Sequence, residues 1–291
     1  MQVHLVDGTY ELFRHFYSPG GGHRNAAGEE VGAVRGVLRS LLGLLGDGAT
    51  HVGVATDHVI ESFRNDMWPT YKDGSGIDPD LRLQFPWLED ALRAAGFTVW
   101  PMVEVEADDA LAAAASVAAD HPGIERVLIC TPDKDLAQCV RDPVIAQFDR
   151  RAGVIRDEAA VREKFGVPPA SIPDYLALVG DSADGFPGLP GWGAKSAAAV
   201  LARYGHLDEI PHAPGQWDVG VRGAAKLAAA LAAGYEDALL FRRLATLETD
   251  VDVGTVGDWE WRGPTDELAA WAERLDAPDV ATRAGTLSAS R

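Results

Sequence analysis

Three things are scarce in this 291-residue sequence: cysteine, long hydrophobic runs and positive charge. The two cysteines, Cys130 and Cys139, are too few for a disulfide scaffold. They have no histidine partners at metal spacing, which excludes a cysteine-based zinc site. No apolar run approaches the roughly 20 residues that a membrane-spanning helix needs, and the N-terminal apolar stretch is broken at Asp7, too early for a signal peptide. We therefore expect a folded cytoplasmic protein that does not associate with membranes.

The shortage of positive charge gives a formal net charge of −18 at pH 7, which by itself argues against nucleic-acid binding. The acidic excess is uneven, however. Between Gly185 and Arg243 the sequence has six lysines or arginines against five acids, so this stretch is close to neutral. Much of the acidic excess elsewhere is explained if it forms a metal site, because bound cations would neutralise it.

The first part of the chain has the pattern of strands that alternate with helices. The runs "VHLVD", "HVGVATD" and "RVLICTPDKD" are short, apolar and β-branched, they end at acids, and helical patterns separate them. This pattern predicts an α/β fold with a central, mostly parallel sheet flanked by helices. Ligands of such sheets bind beyond the carboxyl ends of the strands. Asp7, Asp57, Asp133 and Asp135 are predicted to lie there.

From about Gly185 the pattern changes to short helical pieces without strand alternation. We therefore predict an α/β domain over residues 1–184 and a small helical module over residues 185–250. Residues 251–291 are predicted as a C-terminal extension that packs on the first domain and ends in a frayed tail. The segment 71–80, "YKDGSGIDPD", is predicted as a flexible loop.

Acidic side chains recur in five separate segments. Glu106 and Asp109 share a helix face with Asp108 beside it, and this cluster alone is explained by a helix start, where the dipole favours acids. The segment "GDSAD" adds Asp181 and Asp184. Nine carboxylates at one sheet edge would repel one another without cations, and all-oxygen ligation selects Mg²⁺ or Mn²⁺. More ligands than one ion needs predict two or more ions, which suits in-line displacement at a phosphodiester.

The stretch "GLPGWGAKSA" places glycines before a lysine and a serine at a predicted helix start. Gly191 and Gly193 would let a ligand approach the backbone, and the free N–H groups of the helix start would receive a phosphate oxygen near Lys195 and Ser196. The competing explanation is a tight turn between helices whose glycines serve packing. Trp192 fits either hairpin packing or contact with DNA.

Five motifs, taken in order, carry a resemblance to a known family: "LVDGTYELFR", "SFRNDMWPTYK", "VEADD", "TPDKDL" and "GDSADGFPGLPGWGAKSA". The sequence resembles the 5' nuclease superfamily, in particular the 5'-3' exonuclease domain of bacterial DNA polymerase I and the flap endonucleases. The resemblance extends through "LATLETDVDV", and we expect a stand-alone member. It implies a PIN-like nuclease domain with a helix-hairpin-helix module, and a metal-dependent enzyme that hydrolyses DNA phosphodiester bonds as a 5'-3' exonuclease, a 5'-flap endonuclease or both.

The resemblance also implies roles for individual residues. The implied metal ligands are Asp7, Asp57, Glu106, Asp108, Asp109, Asp133, Asp135, Asp181 and Asp184. Arg64 and Lys72 match the family's basic residues near the scissile phosphate, and Arg14 matches a further substrate contact. The hairpin residues Gly191, Gly193, Lys195 and Ser196 are implied to bind DNA, with K⁺ at the hairpin turn.

The implied substrates are branched or 5'-ended duplex DNA and RNA–DNA hybrids, as in the removal of RNA primers and flaps during replication and repair. A DNA polymerase is the implied partner, and we expect a monomer. Two positions depart from the family pattern: Gly185 stands where relatives commonly carry Asn, and Ser75 stands where the polymerase-linked relatives often carry Arg.

Three alternative functions compete with a 5' nuclease. A haloacid-dehalogenase phosphatase is excluded because Leu5 occupies the position of its nucleophile. A PIN-type ribonuclease lacks the helical module that follows Gly185. A non-catalytic protein that binds DNA structures would keep the hairpin and lose the acids, and all nine acids are present.

Overall fold

The computed structural model describes every residue from Met1 to Arg291. The strands are β1 (Gln2–Asp7), β2 (His51–Asp57), β3 (Thr98–Met102), β4 (Arg126–Cys130), β5 (Ile145–Asp149) and β6 (Val154–Arg156). The α-helices are α1 (Gly8–Phe16), α2 (Gly32–Gly46), α3 (Phe63–Met67), α4 (Pro79–Arg82), α5 (Gln84–Ala94), α6 (Ala107–Ala119), α7 (Glu158–Phe165), α8 (Ile172–Val179), α9 (Ala194–Tyr204), α10 (Ala224–Ala233), α11 (Tyr235–Ala245), α12 (Leu268–Arg274) and α13 (Pro278–Ala289). None of these helices is long and apolar enough to cross a membrane.

Packing divides the chain into two compact units that are discontinuous in sequence. Unit 1 comprises residues 1–60, 74–131 and 249–291, and unit 2 comprises residues 61–73 and 132–248. The predicted domains follow the chain in order, with limits at residues 184 and 250, whereas the compact units group separate segments. The predicted domain limits therefore stay a prediction.

The sheet of unit 1 is parallel, with β1 between β2 and β4, and β3 at the edge beside β2. Its central strands are mostly apolar, as expected of a sheet that helices cover, and Val3, Leu5 and Val54 are fully buried. The predicted parallel sheet is thus confirmed. Strand β3 was not predicted because Pro101 interrupts its pattern, and an edge strand tolerates a proline that a central strand would not.

The helices of unit 1 start close to the carboxyl ends of the strands. Helix α1 follows β1 directly, because the Asp7 side chain caps it by accepting from the Tyr10 amide at 2.8 Å. Gly8 is needed at this joint, since a Cβ there would lie 2.8 Å from the carbonyl oxygen of Ala55 in β2. Helix α6 packs against all four parallel strands, while α1, α2 and α5 pack against one another.

The C-terminal extension packs on the other segments of unit 1. The ring of Trp259 meets that of Trp100 edge to face at 5.4 Å, and α13 packs against α2. The predicted frayed tail is wrong, because residues 278–289 form α13. This helix is held by Val280 and Ala284, which lie one turn apart and are buried.

Unit 2 combines an antiparallel hairpin of β5 and β6 with a helical core. Helices α8 and α11 pack closely, and the rings of Phe186 and Phe241 stack at 5.6 Å in this core. The predicted helical character after Gly185 is confirmed by α9, α10 and α11. Strands β5 and β6 were not predicted, since "VIAQFD" and "GVIR" are short and joined by a turn of charged residues.

Candidate functional site

Unit 1 gathers carboxylates at the carboxyl edge of its parallel strands. Asp7 ends β1, and its side-chain oxygens accept from Tyr10 N at 2.8 Å and from Thr131 Oγ1 at 3.0 Å. Asp57 ends the neighbouring strand β2, and its Oδ1 accepts from Ala107 N at 2.8 Å. Because Ala107 begins α6, Asp57 connects this edge to the acidic start of that helix.

The start of α6 supplies three more of the predicted ligands. Glu106 and Asp109 are buried, and Asp108 is half-buried. Asp109 Oδ2 accepts from Glu106 N at 2.9 Å, so Asp109 also caps the helix. The explanation of this cluster as an ordinary helix start is therefore correct for one of its contacts, while the burial of two carboxylates goes beyond what a solvated helix start requires.

Unit 2 contains a second group of carboxylates, and its side chains crowd one another. Asp135, Asp181 and Asp184 are buried, and each offers a carboxylate oxygen within 4.8 Å of the others. Asp133 is exposed, and its Oδ1 accepts from Asp135 N at 3.0 Å. The Asp181 carboxylate stabilises a turn in its own loop by accepting a hydrogen bond from Ala183 N at 2.9 Å.

The electrostatics of this second group fit a bound cation. Burial raises the pKa of Asp135 well above its usual value, and the carboxylates of Asp133, Asp184 and Asp181 raise it further. Asp135 Oδ1 is buried and has no hydrogen-bond partner in the protein. Buried oxygens that repel one another are the donors that a hard divalent cation requires, so these residues fit the predicted metal ion.

Two lysines supply positive charge to the acidic cluster of unit 2. Lys134 Nζ lies 2.6 Å from Asp181 Oδ2, and Lys72 Nζ lies 3.2 Å from Asp184 Oδ1. Burial acts to lower the pKa of Lys134, but the hydrogen bond to Asp181 and the surrounding carboxylates leave that pKa raised. Both ammonium groups are therefore cations that the protein itself places against the cluster.

The backbone around Lys72 is fixed by two contacts. Lys72 N donates to Asp184 O at 3.0 Å, and Asn65 Nδ2 donates to Lys72 O at 3.0 Å. Lys72 thus belongs to the same local structure as the acidic cluster, as its predicted place near the scissile phosphate requires.

The structure corrects the prediction for Arg64. This side chain is only 1% exposed, and its guanidinium donates from Nε to Leu244 O at 2.9 Å and from Nη2 to Thr246 O at 3.1 Å. An enclosed guanidinium that is bonded to carbonyls is not open to a phosphate. Arg14, in unit 1, is about a quarter exposed at 23%, and its guanidinium contacts Glu11 and, at 3.0 Å, His15 Nε2. Its predicted contact with substrate stays a prediction.

The glycine-rich hairpin of unit 2 presents open backbone. Gly191 has a φ of +81°. At the start of α9, Gly193 N donates to Ser196 Oγ at 3.0 Å, and Ser196 Oγ donates to Gly193 O at 2.9 Å. A Cβ added at Gly191 or Gly193 would meet no protein atom within 4 Å, so packing does not require these two glycines. Lys195 is exposed beside them. The positive φ of Gly191 fits a tight turn, and the open space at both glycines leaves room for a ligand, so the predicted contact with DNA stays a prediction.

Trp192 faces the interior, which decides between its two predicted roles. Its ring is buried, and its Nε1 donates to Leu227 O at 3.2 Å. Trp192 therefore packs the hairpin against α10.

Gly185, one of the two departures from the family pattern, has a local structural cause. Its φ is +83°, and a Cβ would lie 1.9 Å from Thr70 O. Its carbonyl accepts from Trp68 Nε1 at 3.0 Å and from Thr70 Oγ1 at 2.8 Å. The absence of a side chain thus lets the loop with Asp181 and Asp184 join the segment that leads to Lys72.

Comparison with known families decides the assignment. Residues 2–166 match the family described as "5'-3' exonuclease, N-terminal resolvase-like domain", and residues 167–267 match "5'-3' exonuclease, C-terminal SAM fold". The chain belongs to the 5'-3' exonuclease family. This assignment confirms the predicted resemblance and the predicted class of enzyme, a 5' nuclease.

Two relatives illustrate the range of this 5'-3' exonuclease family. DNA polymerase I of Pseudomonas aeruginosa is 38% identical over 263 residues, which cover 86% of this chain and 27% of the polymerase. The 5'-3' exonuclease of Aquifex aeolicus is 32% identical over 255 residues, which cover 86% of this chain and 83% of the relative. The chain thus spans about a quarter of the length of the polymerase relatives that it matches.

Solved structures share the fold of this chain. A T5 5'-exonuclease variant aligns with a TM-score of 0.64 at 20% identity, covering 96% of this chain and 99% of the other. The catalytic core of Rad2 in complex with a DNA substrate aligns with a TM-score of 0.62 at 15% identity, covering 98% of this chain and 92% of the other. These likenesses confirm the predicted PIN-like nuclease fold with its helical module.

Sequence reasoning missed three residues that contact the predicted ligands or lie beside them. Thr131 donates to Asp7, Lys134 pairs with Asp181, and Gln138 donates to Asp135 O at 2.8 Å. All three lie in "TPDKDLAQ", so attention to the polar residues around the two acids of that motif would have found them. Thr131 and Lys134 contact side chains from other parts of the chain, and Gln138 contacts a backbone carbonyl, so a local pattern of residue types does not indicate these contacts.

Proposed function

We propose that this 5'-3' exonuclease family member is a divalent-metal-dependent, structure-specific 5' nuclease that hydrolyses DNA phosphodiester bonds, as a 5'-3' exonuclease, a 5'-flap endonuclease or both. The observation that carries the proposal is the buried cluster of Asp135, Asp181 and Asp184 in a chain of this family. Buried carboxylates held this closely, with lysines at their edge, have no use in a protein that binds DNA without cutting it.

The nine predicted acids are proposed to hold the ions, either directly or through water. When bound, two Mg²⁺ or Mn²⁺ ions would lower the pKa of the attacking water and stabilise the leaving oxygen of an in-line displacement. The chain's own contribution is to fix the oxygens: Asp7, Asp57 and Asp109 by hydrogen bonds from backbone amides, and Asp135 by burial. Lys72 is proposed to neutralise charge on the phosphoryl oxygens, since an ammonium group aimed at developing charge stabilises the transition state.

The hairpin of unit 2 is proposed to hold one strand of duplex DNA through its phosphates. Its open glycine backbone and the exposed Lys195 support sequence-independent contact, because phosphate contacts fix position without reading bases. A K⁺ ion at the turn is part of this proposal. Structures of the T5 flap endonuclease and of Rad2 contain DNA, which supports a DNA substrate for a chain of the same fold.

The finer predictions are retained as proposals. Branched or 5'-ended duplex DNA is the proposed substrate, with RNA–DNA hybrids as in primer removal. A DNA polymerase that supplies the substrate is the proposed partner. A cytoplasmic monomer is the proposed working form.

The test is cleavage of an end-labelled 5'-flap duplex in Mg²⁺ or Mn²⁺. Wild type is compared with Asp181→Asn and with Asp266→Asn, a matched control in which an exposed acid of unit 1 is changed. Incision near the junction by wild type and the control, lost in Asp181→Asn, supports the proposal. Binding of the duplex without incision in either metal would overturn it in favour of a DNA-structure-binding protein.

A further inference from the structure

One short segment of unit 2 collects hydrogen bonds from two side chains that lie far apart in the sequence. This segment, Leu244–Leu247, spans the C-terminal end of α11 and the two residues after it, and is called here the post-helix segment. Arg64 donates to Leu244 O at 2.9 Å and to Thr246 O at 3.1 Å. Gln138 Nε2 donates to Ala245 O at 2.9 Å, and Leu247 N donates to Gln138 Oε1 at 3.1 Å. Successive backbone groups are thus bonded to the two side chains in turn.

Gln138 also reaches the acidic cluster. Its Nε2 donates to Asp135 O at 2.8 Å, so one amide group bridges the backbone of a predicted metal ligand and the end of α11. An amide side chain offers two donors and an acceptor, and here each is aimed at a backbone group. Because Asp135 is buried among like charges, its loop needs such a restraint to keep the carboxylate in place.

Arg64 connects the same segment to Lys72. The guanidinium binds carbonyls at the C-terminal end of α11, where the helix dipole favours a cation. The next residue, Asn65, donates to Lys72 O at 3.0 Å, and Lys72 Nζ lies 3.2 Å from Asp184 Oδ1. The ring of Phe63 lies between two guanidinium groups, 4.6 Å from that of Arg64 and 4.9 Å from that of Arg243. The start of the Lys72 segment is therefore anchored to α11.

The third part of the cluster is joined to α11 by packing. Helix α8 packs against α11 and leads directly into the loop that carries Asp181 and Asp184. Asp135, Lys72 and the loop with Asp181 and Asp184 are thus all connected to α11, directly or through a neighbouring element. Helix α11 belongs to the same unit as the glycine-rich hairpin.

We propose that Gln138 and Arg64 are positioning residues of the nuclease: Gln138 sets the metal-ligand loop through Asp135, and Arg64 sets Lys72, both against the post-helix segment. This inference rests on the proposed function for its catalytic readout and on metal binding for an independent one. The competing explanation is that both side chains only stabilise the fold. The two explanations differ in what the variants do to metal affinity and to the rate of cleavage once substrate is bound.

The experiment on Gln138 compares Gln138→Met, which removes the amide, with Gln138→Glu and with Gln216→Met, a matched control at an exposed glutamine. Mn²⁺ binding is measured by calorimetry without DNA, and flap binding is measured in Ca²⁺. Losing a partner that orients a metal ligand typically weakens metal affinity or activity about 10-fold to 100-fold. We expect Mn²⁺ affinity and the single-turnover rate of Gln138→Met to fall in that range, with flap affinity within about twofold of wild type.

A lower melting temperature with Mn²⁺ affinity and cleavage rate unchanged in both Gln138 variants would overturn the role of Gln138. Should Gln138→Met not fold, Gln138→Glu decides, because it keeps the acceptor for Leu247 N and loses the donor to Asp135 O. Failure of the proposed function is separately visible: wild type would then bind Mn²⁺ and flap DNA without cutting, while the dependence of Mn²⁺ binding on Gln138 could still be read.

The experiment on Arg64 uses Arg64→Met, Arg64→Lys and Lys72→Met, alone and combined. If Arg64 acts through Lys72, Arg64→Met lowers the single-turnover rate with Mn²⁺ affinity unchanged, and the double variant is no slower than Lys72→Met. Arg64→Lys should recover part of the rate, since it keeps a cation at the end of α11. Full additivity of the two losses, or equal rates for wild type and Arg64→Met, would overturn the role of Arg64.

Discussion

The carboxylates of the two units are stabilised in opposite ways. In unit 1, Asp7, Asp57 and Asp109 each accept a hydrogen bond from a backbone amide, two of them at the start of the helix that follows. In unit 2, Asp135 is buried against other carboxylates and keeps one oxygen without a partner in the protein. Acids of the first kind stabilise the fold through these hydrogen bonds and can also bind a ligand. Acids of the second kind are stable only when they are protonated or paired with a cation, so they point most directly to function.

The largest expected effect comes from removing the carboxylate charge of Asp135, one oxygen of which has no hydrogen-bond partner in the protein. Asp135→Asn keeps the shape of the side chain, yet it should lower flap cleavage on the order of 10²-fold or more, as does loss of a group that stabilises the transition state electrostatically. In wild type, Mn²⁺ should raise the melting temperature above its value in EDTA, and in Asp135→Asn this rise should shrink. Calorimetry and single-turnover cleavage measure both effects, with Asp266→Asn as the control. Equal stabilisation by Mn²⁺ in the two proteins would show that Asp135 is not a ligand.

The same contrast separates the glycines of unit 2. A Cβ at Gly185 would collide with Thr70 O, whereas a Cβ at Gly193 meets nothing and its φ of −149° suits any residue. Gly193→Ala should therefore leave the melting temperature unchanged and weaken duplex binding about fivefold, the equivalent of one lost hydrogen bond of ~1 kcal/mol. Fluorescence anisotropy with a labelled duplex in Ca²⁺ measures this change. Unaltered affinity would mean that the hairpin backbone does not approach DNA.

An effect of similar size is expected from the lysine that the protein places in the cluster. Lys134→Met removes a cation 2.6 Å from Asp181, so Mn²⁺ no longer competes with it, and affinity for Mn²⁺ should rise about fivefold, or ~1 kcal/mol. The metal-free protein should melt at a lower temperature, because a buried carboxylate loses its partner. Titration calorimetry without DNA distinguishes this outcome from weaker Mn²⁺ binding, which would assign Lys134 to holding the ligand geometry.

The smallest effect is expected where a carboxylate of unit 2 is paired and largely exposed. Hydrogen bonds from Arg242 and Tyr235 lower the pKa of Asp208, so its ionised form is favoured in the folded protein. This contribution is present above the unfolded pKa and is lost as the pH falls through the lowered folded pKa, below about pH 4. Since Asp208 is 54% exposed, Asp208→Asn should cost no more than about 0.5 kcal/mol at pH 7 and nothing near pH 2. Urea unfolding at the two pH values measures the difference.

The elements with a strong local pattern were predictable from the sequence. Strands β1, β2 and β4 are apolar runs that end at acids, and α6 begins with the acids that its dipole favours. The nine acids were found because each belongs to a short motif. Strand β3 was missed because Pro101 breaks its pattern, and the frayed tail was predicted because burial of Ala284 depends on α2, far away in the chain.

The sequence by itself determined the family, the acids and the glycine hairpin, since these depend on residue types at short fixed spacings. Only the tertiary structure decided what each group touches. Arg64 was predicted to meet a phosphate, and it is enclosed against the end of a helix 180 residues later in the chain. Gly185 departs from the family pattern, and the structure gives the reason: the carbonyl of Thr70, 115 residues earlier, leaves no room for a side chain. Contacts over such distances arise from packing, and a local pattern of residues does not contain them.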